Sequence, residues 1–183
     1  MSNRQLLPPY TYVPGGPWPH PARSPRGHSW GRQQEDAAPI VADQWQASPA
    51  YLRGVELFNQ GYYWEAHECW ESLWHAHGRR GPTAELLQGL IKLAAAGVKV
   101  REGRAAGVRL HATKAARLLE KSRSGAGPYQ LGLDLHECVR FALAIAANPP
   151  SDASPPGCPV ACVFEFQLQP HLRPDIERQT GAG

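Results

Sequence analysis

Proline is distributed so unevenly along this chain that it fixes where helices can form. Of 18 prolines, only Pro49, Pro82 and Pro128 fall between Ser48 and Asn148, which leaves 15 in the two flanks. Proline removes a backbone donor and clashes with the preceding helical turn, so the flanks are expected to be extended. The chain divides accordingly into a proline-rich arm over 1–47, a helical domain over 48–148 and a tail over 149–183. A chain of 183 residues is long enough for one domain with a real core plus such tails.

The central zone predicts five helices and an all-α fold. Ser48-Pro49 reads as an N-cap followed by proline at the first helical position, and Gly61 as the stop. A second helix runs from about Tyr63 to His77, with Tyr63, Ala66, Trp70, Leu73 and His77 recurring at helical period and Gly78 closing it. The third, Thr83 to Arg101, is apolar over half its circumference, as expected of the central helix of a bundle. Gly97 sits in that apolar face, where glycine costs about 1 kcal/mol, so a neighbouring backbone is expected to approach it. A fourth helix follows Gly103, with Val108, Ala112, Ala115 and Leu119 inward. Asp134 and Glu137 predict a capping box for a fifth, which ends before Pro149-Pro150.

In the tail, Val160, Cys162, Phe164, Phe166 and Leu168 alternate at period two. This predicts one short strand over 160–168, or an extended segment laid on the bundle. A strand needs a partner, and Tyr10-Thr11-Tyr12-Val13 is the obvious one. The arm's aromatic content favours an ordered wrap over a disordered linker.

Bulk properties exclude several functions. With 19 Lys+Arg against 16 Asp+Glu, the net charge of +3 is too small to point to nucleic acid. No segment approaches the roughly 18 apolar residues needed to span a membrane, and Met1 to Tyr10 contains no apolar signal segment. Cys69, Cys138, Cys158 and Cys162 lack the spacing of a disulfide framework, so a cytoplasmic protein with reduced thiols is expected.

Residues 58–74 carry the densest information. Phe58-Asn59-x-Gly61-x-Tyr63-x-Glu65-Ala66-His67-Glu68-x-x-Glu71-x-x-Trp74 resembles the first signature of the bacterial family called domain of unknown function 309. Leu87-Gln88-Gly89-Leu90-Ile91-x-Leu93-Ala94 is similar to its second signature, and Gly107 with Lys114-Ala115 and Leu118-Leu119 to a weaker third. The resemblance covers about residues 50 to 145. It implies a compact helical bundle and no particular reaction. Gly61, Tyr63 and Ala66 also resemble a tetratricopeptide corner, but the next corner glycine, Gly103, comes 42 residues later rather than 34, so no solenoid is expected.

On the second helix His67, Glu71 and His75 are spaced i, i+4, i+8, with Glu68 beside them. Side chains at i and i+4 meet on a helix, so His67 and Glu71 could both ligate one divalent ion or act as an acid–base pair. A third ligand would come from His111 or, if the arm wraps over, from His20; His28 and His136 are further candidates. A metalloprotease helix would need histidine where Glu71 stands. Equally, these polar groups could form a satisfied network that fixes how the first three helices meet. The expected function is a non-catalytic module binding an unknown protein or small molecule in a groove lined by Trp64, Glu65, His67, Glu68, Glu71 and Trp74, with Gln88 from the second signature. The alternatives are a metal-dependent, hydrolase-like enzyme using His67 and Glu71, for which no complete catalytic signature exists, and an RNA-associated protein using Lys114, Arg117 and Lys121. No cofactor is required by the sequence; a divalent metal is the one it could accommodate.

Overall fold

The computed structural model describes residues 6–32 and 37–172. Among these, five α-helices make an all-α bundle: α1 Pro49–Asn59, α2 Tyr63–Ala76, α3 Pro82–Arg101, α4 Ala105–Ala126 and α5 Leu135–Ala147. Each packs on its neighbour in sequence, α1 on α2, α2 on α3, α3 on α4 and α4 on α5. Short connections between packed helices make neighbours antiparallel. Among the described residues, no helix is long and apolar enough to cross a membrane.

Local chemistry explains the helix ends. Ser48 Oγ accepts the Tyr51 N–H at α1 with Pro49 behind it. Asp134 Oδ1 accepts from His136 N at 2.8 Å and Glu137 N at 3.4 Å, which is the Asp134 half of the expected capping box. Gly61 turns the chain from α1 into α2 at φ +85°, a conformation an L side chain resists.

The core runs from α1 through α5. Trp70, Tyr51, Tyr63, Phe58 and Leu73 are fully buried with Leu86, Leu87, Leu90 and Leu93 of α3, each contributing about 1.5–3 kcal/mol by leaving water. Gly97 is crowded as expected, but by a ring rather than a backbone: a Cβ there would lie 2.5 Å from Tyr63 Cγ. The aromatic at the start of α2 uses the missing side chain to lie flat on α3.

No strand forms over 160–168; the segment lies extended on the bundle. Its alternation reflects burial of Phe164 and Leu168. Among the described residues, the strands are β1 Tyr129–Gln130 and β2 Leu133–Asp134, a two-residue antiparallel pair turned by Leu131 at φ 48° and Gly132 at φ 76°. Positive φ at both turn residues matches the sense of twist of a hairpin. A 3-10 turn, Ala42–Ala47, leads into α1 and buries Trp45.

Candidate functional site

The α1–α2 corner holds both flanks of the chain. Asn59 clasps the tail in both directions, Nδ2 donating to Leu168 O and Oδ1 accepting from Leu168 N, each at 2.8 Å. Tyr63 OH accepts the Val163 N–H at 3.0 Å, and Phe164 packs on Phe58 and Tyr63 with ring centroids 5.9 and 5.2 Å away. Burial and the Val163 contact lie behind the Tyr63 hydroxyl: desolvation pushes it up to about 12, against a partial lowering by that hydrogen bond. Gly61 meets the tail as well; a Cβ would sit 2.5 Å from Ala161 O.

The arm docks on the next residues. The buried Glu65 carboxylate accepts from Thr11 Oγ1 at 2.6 Å and from Tyr12 N at 3.2 Å, and His28 Nε2 lies 3.1 Å from its Oε1. Tyr62 OH donates to Pro8 O at 2.9 Å. Trp64 packs edge-on against Tyr12 and His20 of the arm, at 4.8 and 5.5 Å between ring centroids. Trp64 and Glu65, expected in an open groove, therefore face the protein's own arm. His20 Nδ1 accepts the Ala22 and Arg23 N–H groups at 3.2 Å each, which occupies that nitrogen.

Past the arm's cover, α2 presents exposed His75 and, a turn or more before it, His67, Glu68 and Glu71. Each of these last three offers a donor atom within 4.8 Å of the others, and all three are partly exposed. Among the described residues they are the one group of three or more His, Cys, Asp or Glu side chains so arranged. His67 Nδ1 lies 3.5 Å from Glu68 Oε1, too long for a good hydrogen bond, and is covered without any hydrogen-bond partner. Trp64 forms a wall beside it, its ring 5.9 Å from that of His67. Where arm coverage of α2 ends, the cluster begins.

Gln88 is half-buried on α3. The Tyr63–Gly97 packing sets the register of the antiparallel pair, so Gln88 comes to about the level of Glu71 and Lys92 to that of Glu68. Trp74 is half-buried against the core, with the Arg79 guanidinium 5.3 Å over its ring. His111 does not join the cluster. Burial, then Lys92, Lys99 and Lys114, hold its imidazole below the usual range, and its Nδ1 is buried without a partner. A histidine so ringed by cations is a poor place for a metal ion. His136 is exposed on α5, and His28 belongs to the Glu65 dock. Cys158 Sγ contacts Val160 O at 3.0 Å and Cys162 Sγ contacts Asn59 O at 3.5 Å. On α4, Lys121 pairs with Glu85 at 2.6 Å, while Lys114 and Arg117 are exposed.

Sequence reasoning missed the role of Thr11 and Tyr12, whose shared partner Glu65 lies more than fifty residues away and leaves no local periodicity. It also missed Arg101, whose side chain is only 8% exposed.

Residues 51–110, from α1 into α4, match the model of a family described as Domain of unknown function (DUF309). The resemblance drawn from the signatures is thereby shown over that stretch. No curated protein matches the chain.

Proposed function

We propose that this DUF309-domain chain is a non-catalytic binding module whose ligand on α2 is a divalent cation, held by His67, Glu68 and Glu71. The observation that carries the reading is the convergence of three donor atoms within 4.8 Å. The covered, unpartnered His67 Nδ1 supports it, because a buried polar atom without a partner costs free energy that a bound ion would recover. A set of one imidazole and two carboxylates suits zinc, manganese or iron(II). Helical spacing puts His67 and Glu71 on one face with no backbone rearrangement needed. Trp64, pinned by the arm, supplies an apolar wall that limits how the imidazole can turn.

The alternative of an open groove for a partner protein is weakened by the arm, which already takes up Trp64 and Glu65. Isothermal titration of untagged protein with zinc, beside the His67→Ala/Glu71→Ala double variant, tests the proposal. Saturable binding of about one ion per chain, tighter than about 100 μM and lost in the variant, is expected. Equal heats from both proteins, with both folded by circular dichroism, would leave the cluster as an ordinary polar surface.

A further inference from the structure

A cleft lies between the C-terminal end of α3, the arm around Val13 to Trp18 and the segment from Pro149 to Cys158. These three stretches enclose a cleft of about 560 Å³, within the size range of small-molecule pockets. Two of its lining residues carry buried donors with nothing to donate to: Arg101 Nη1 and Trp18 Nε1. The Arg101 side chain is more than nine-tenths buried. Its Nη2 donates to Cys158 O at 2.7 Å, and its Nε lies 2.7 Å from Asp152 Oδ2 but out of line for a hydrogen bond. A guanidinium is therefore anchored on one edge and unsatisfied on the other.

We propose that this cleft binds a small organic monocarboxylate, whose oxygens accept from Arg101 Nη1 and Trp18 Nε1. Arginine's fork matches a carboxylate in shape as well as charge. The local charge balance favours one negative charge. Glu102 is countered by Lys99 at 2.8 Å and by Arg104 at 3.2 Å, and Asp152 by Arg101, so one cation is left over. Val13, Pro17, Val100 and Pro150 give the cleft apolar walls that suit a ligand with a hydrocarbon body. The site is independent of the metal proposal, since it shares no residue with the α2 cluster. The arm and the tail segment that wall it lie outside residues 51–110, so it is a property of this chain's flanks as much as of the matched domain.

The test uses benzoate as the probe, benzamide as its neutral isostere and inorganic phosphate as a smaller, more highly charged anion. Binding is followed by the indole N–H resonance of Trp18 in a ¹⁵N-labelled full-length chain, assigned by its disappearance in Trp18→Phe. Saturable movement of that resonance by benzoate below about 10 mM is expected, with benzamide about tenfold weaker. Trp18→Phe keeps the ring that stacks on Tyr10 at 5.3 Å and should weaken benzoate about tenfold by thermal shift. Arg101→Met should abolish it. No saturation by benzoate, equal binding of benzamide, or tighter binding of phosphate than of benzoate would each overturn the proposal. Should Arg101→Met fail to fold, undiminished benzoate binding by Trp18→Phe would overturn it instead.

Discussion

Thr11→Val removes one oxygen from the arm's dock and nothing else of size. In the native protein Thr11 Oγ1 donates to Glu65 Oε2 at 2.6 Å, and both residues are buried. Valine leaves that carboxylate oxygen without its partner, while Tyr12 N and His28 still serve Oε1. A hydrogen bond to an ionised group is worth about 1.5–3 kcal/mol. Taking about 2 kcal/mol, the equilibrium for lifting the arm off α2 rises about thirtyfold. Trypsin reads this directly, because Arg23 and Arg26 are exposed but sit in a stretch tied down at both ends by Tyr10 and His28. When opening is fast relative to cleavage, the cleavage rate follows the open population. Cleavage after Arg23 and Arg26 should therefore accelerate by about thirtyfold, while cleavage at Lys92 and Arg109 within the bundle keeps its native rate. Wild-type cleavage rates in Thr11→Val would refute the idea that Glu65 holds the arm. Equal acceleration at every site would show instead that arm and bundle open as one unit.

Other perturbations have definite signs. Gly97→Ala forces a methyl into the Tyr63 ring and should destabilise by about 1–3 kcal/mol, despite alanine's better helix propensity; an unchanged urea midpoint would contradict the packing described. His77 accepts the Ile40 N–H on Nε2 at 2.9 Å, and burial holds its imidazole below the usual 6.5. The unfolded chain thus binds more protons just below 6.5, so the His77 contribution is present above that pH and lost as pH falls through the folded value. Urea midpoints measured downward from neutral pH should fall less steeply in His77→Gln than in wild type. Burial pushes the Cys69 thiol up to about 11 and Cys138 up to about 12, so an aromatic disulfide reagent should react with exposed Cys162 first and reach Cys69 and Cys138 only on unfolding.

The helices could be read from the sequence because their ends are local. Ser48-Pro49, Gly61, Gly78 and Asp134 each act on backbone within a few residues, and all of them mark real helix ends. The i, i+4 pairing of His67 with Glu71 was legible for the same reason, since helical period alone brings them together. The hairpin at Tyr129–Asp134 was not, because two-residue strands are too short to show alternation and only Gly132 hinted at a turn. Nor could the sequence say that Trp64 and Glu65 serve the arm. The same residues would suit an open groove, and only the three-dimensional path of Thr11, Tyr12 and His20 distinguishes the two. The Arg101 cleft was hidden for a related reason: it needs three stretches that are remote in sequence, and none of them carries a motif.

The arm's contact with the tail has a consequence for how the molecule is made. Thr11 N donates to Pro159 O at 2.9 Å, so a residue ahead of the bundle in sequence waits for one that follows it. The bundle can form as each helix emerges, because its contacts are between consecutive helices and such local topologies fold fast. The arm is synthesised before the bundle yet acquires this partner only after the last helix of the bundle, α5, has emerged. Until Phe164 emerges, Phe58 and Tyr63 lack the ring that packs on them, and the nascent chain presents a sticky aromatic surface that the tail then covers. A truncation before Pro159 would hold the protein in that unfinished state, and its solubility rather than its helix content should be the first thing to suffer.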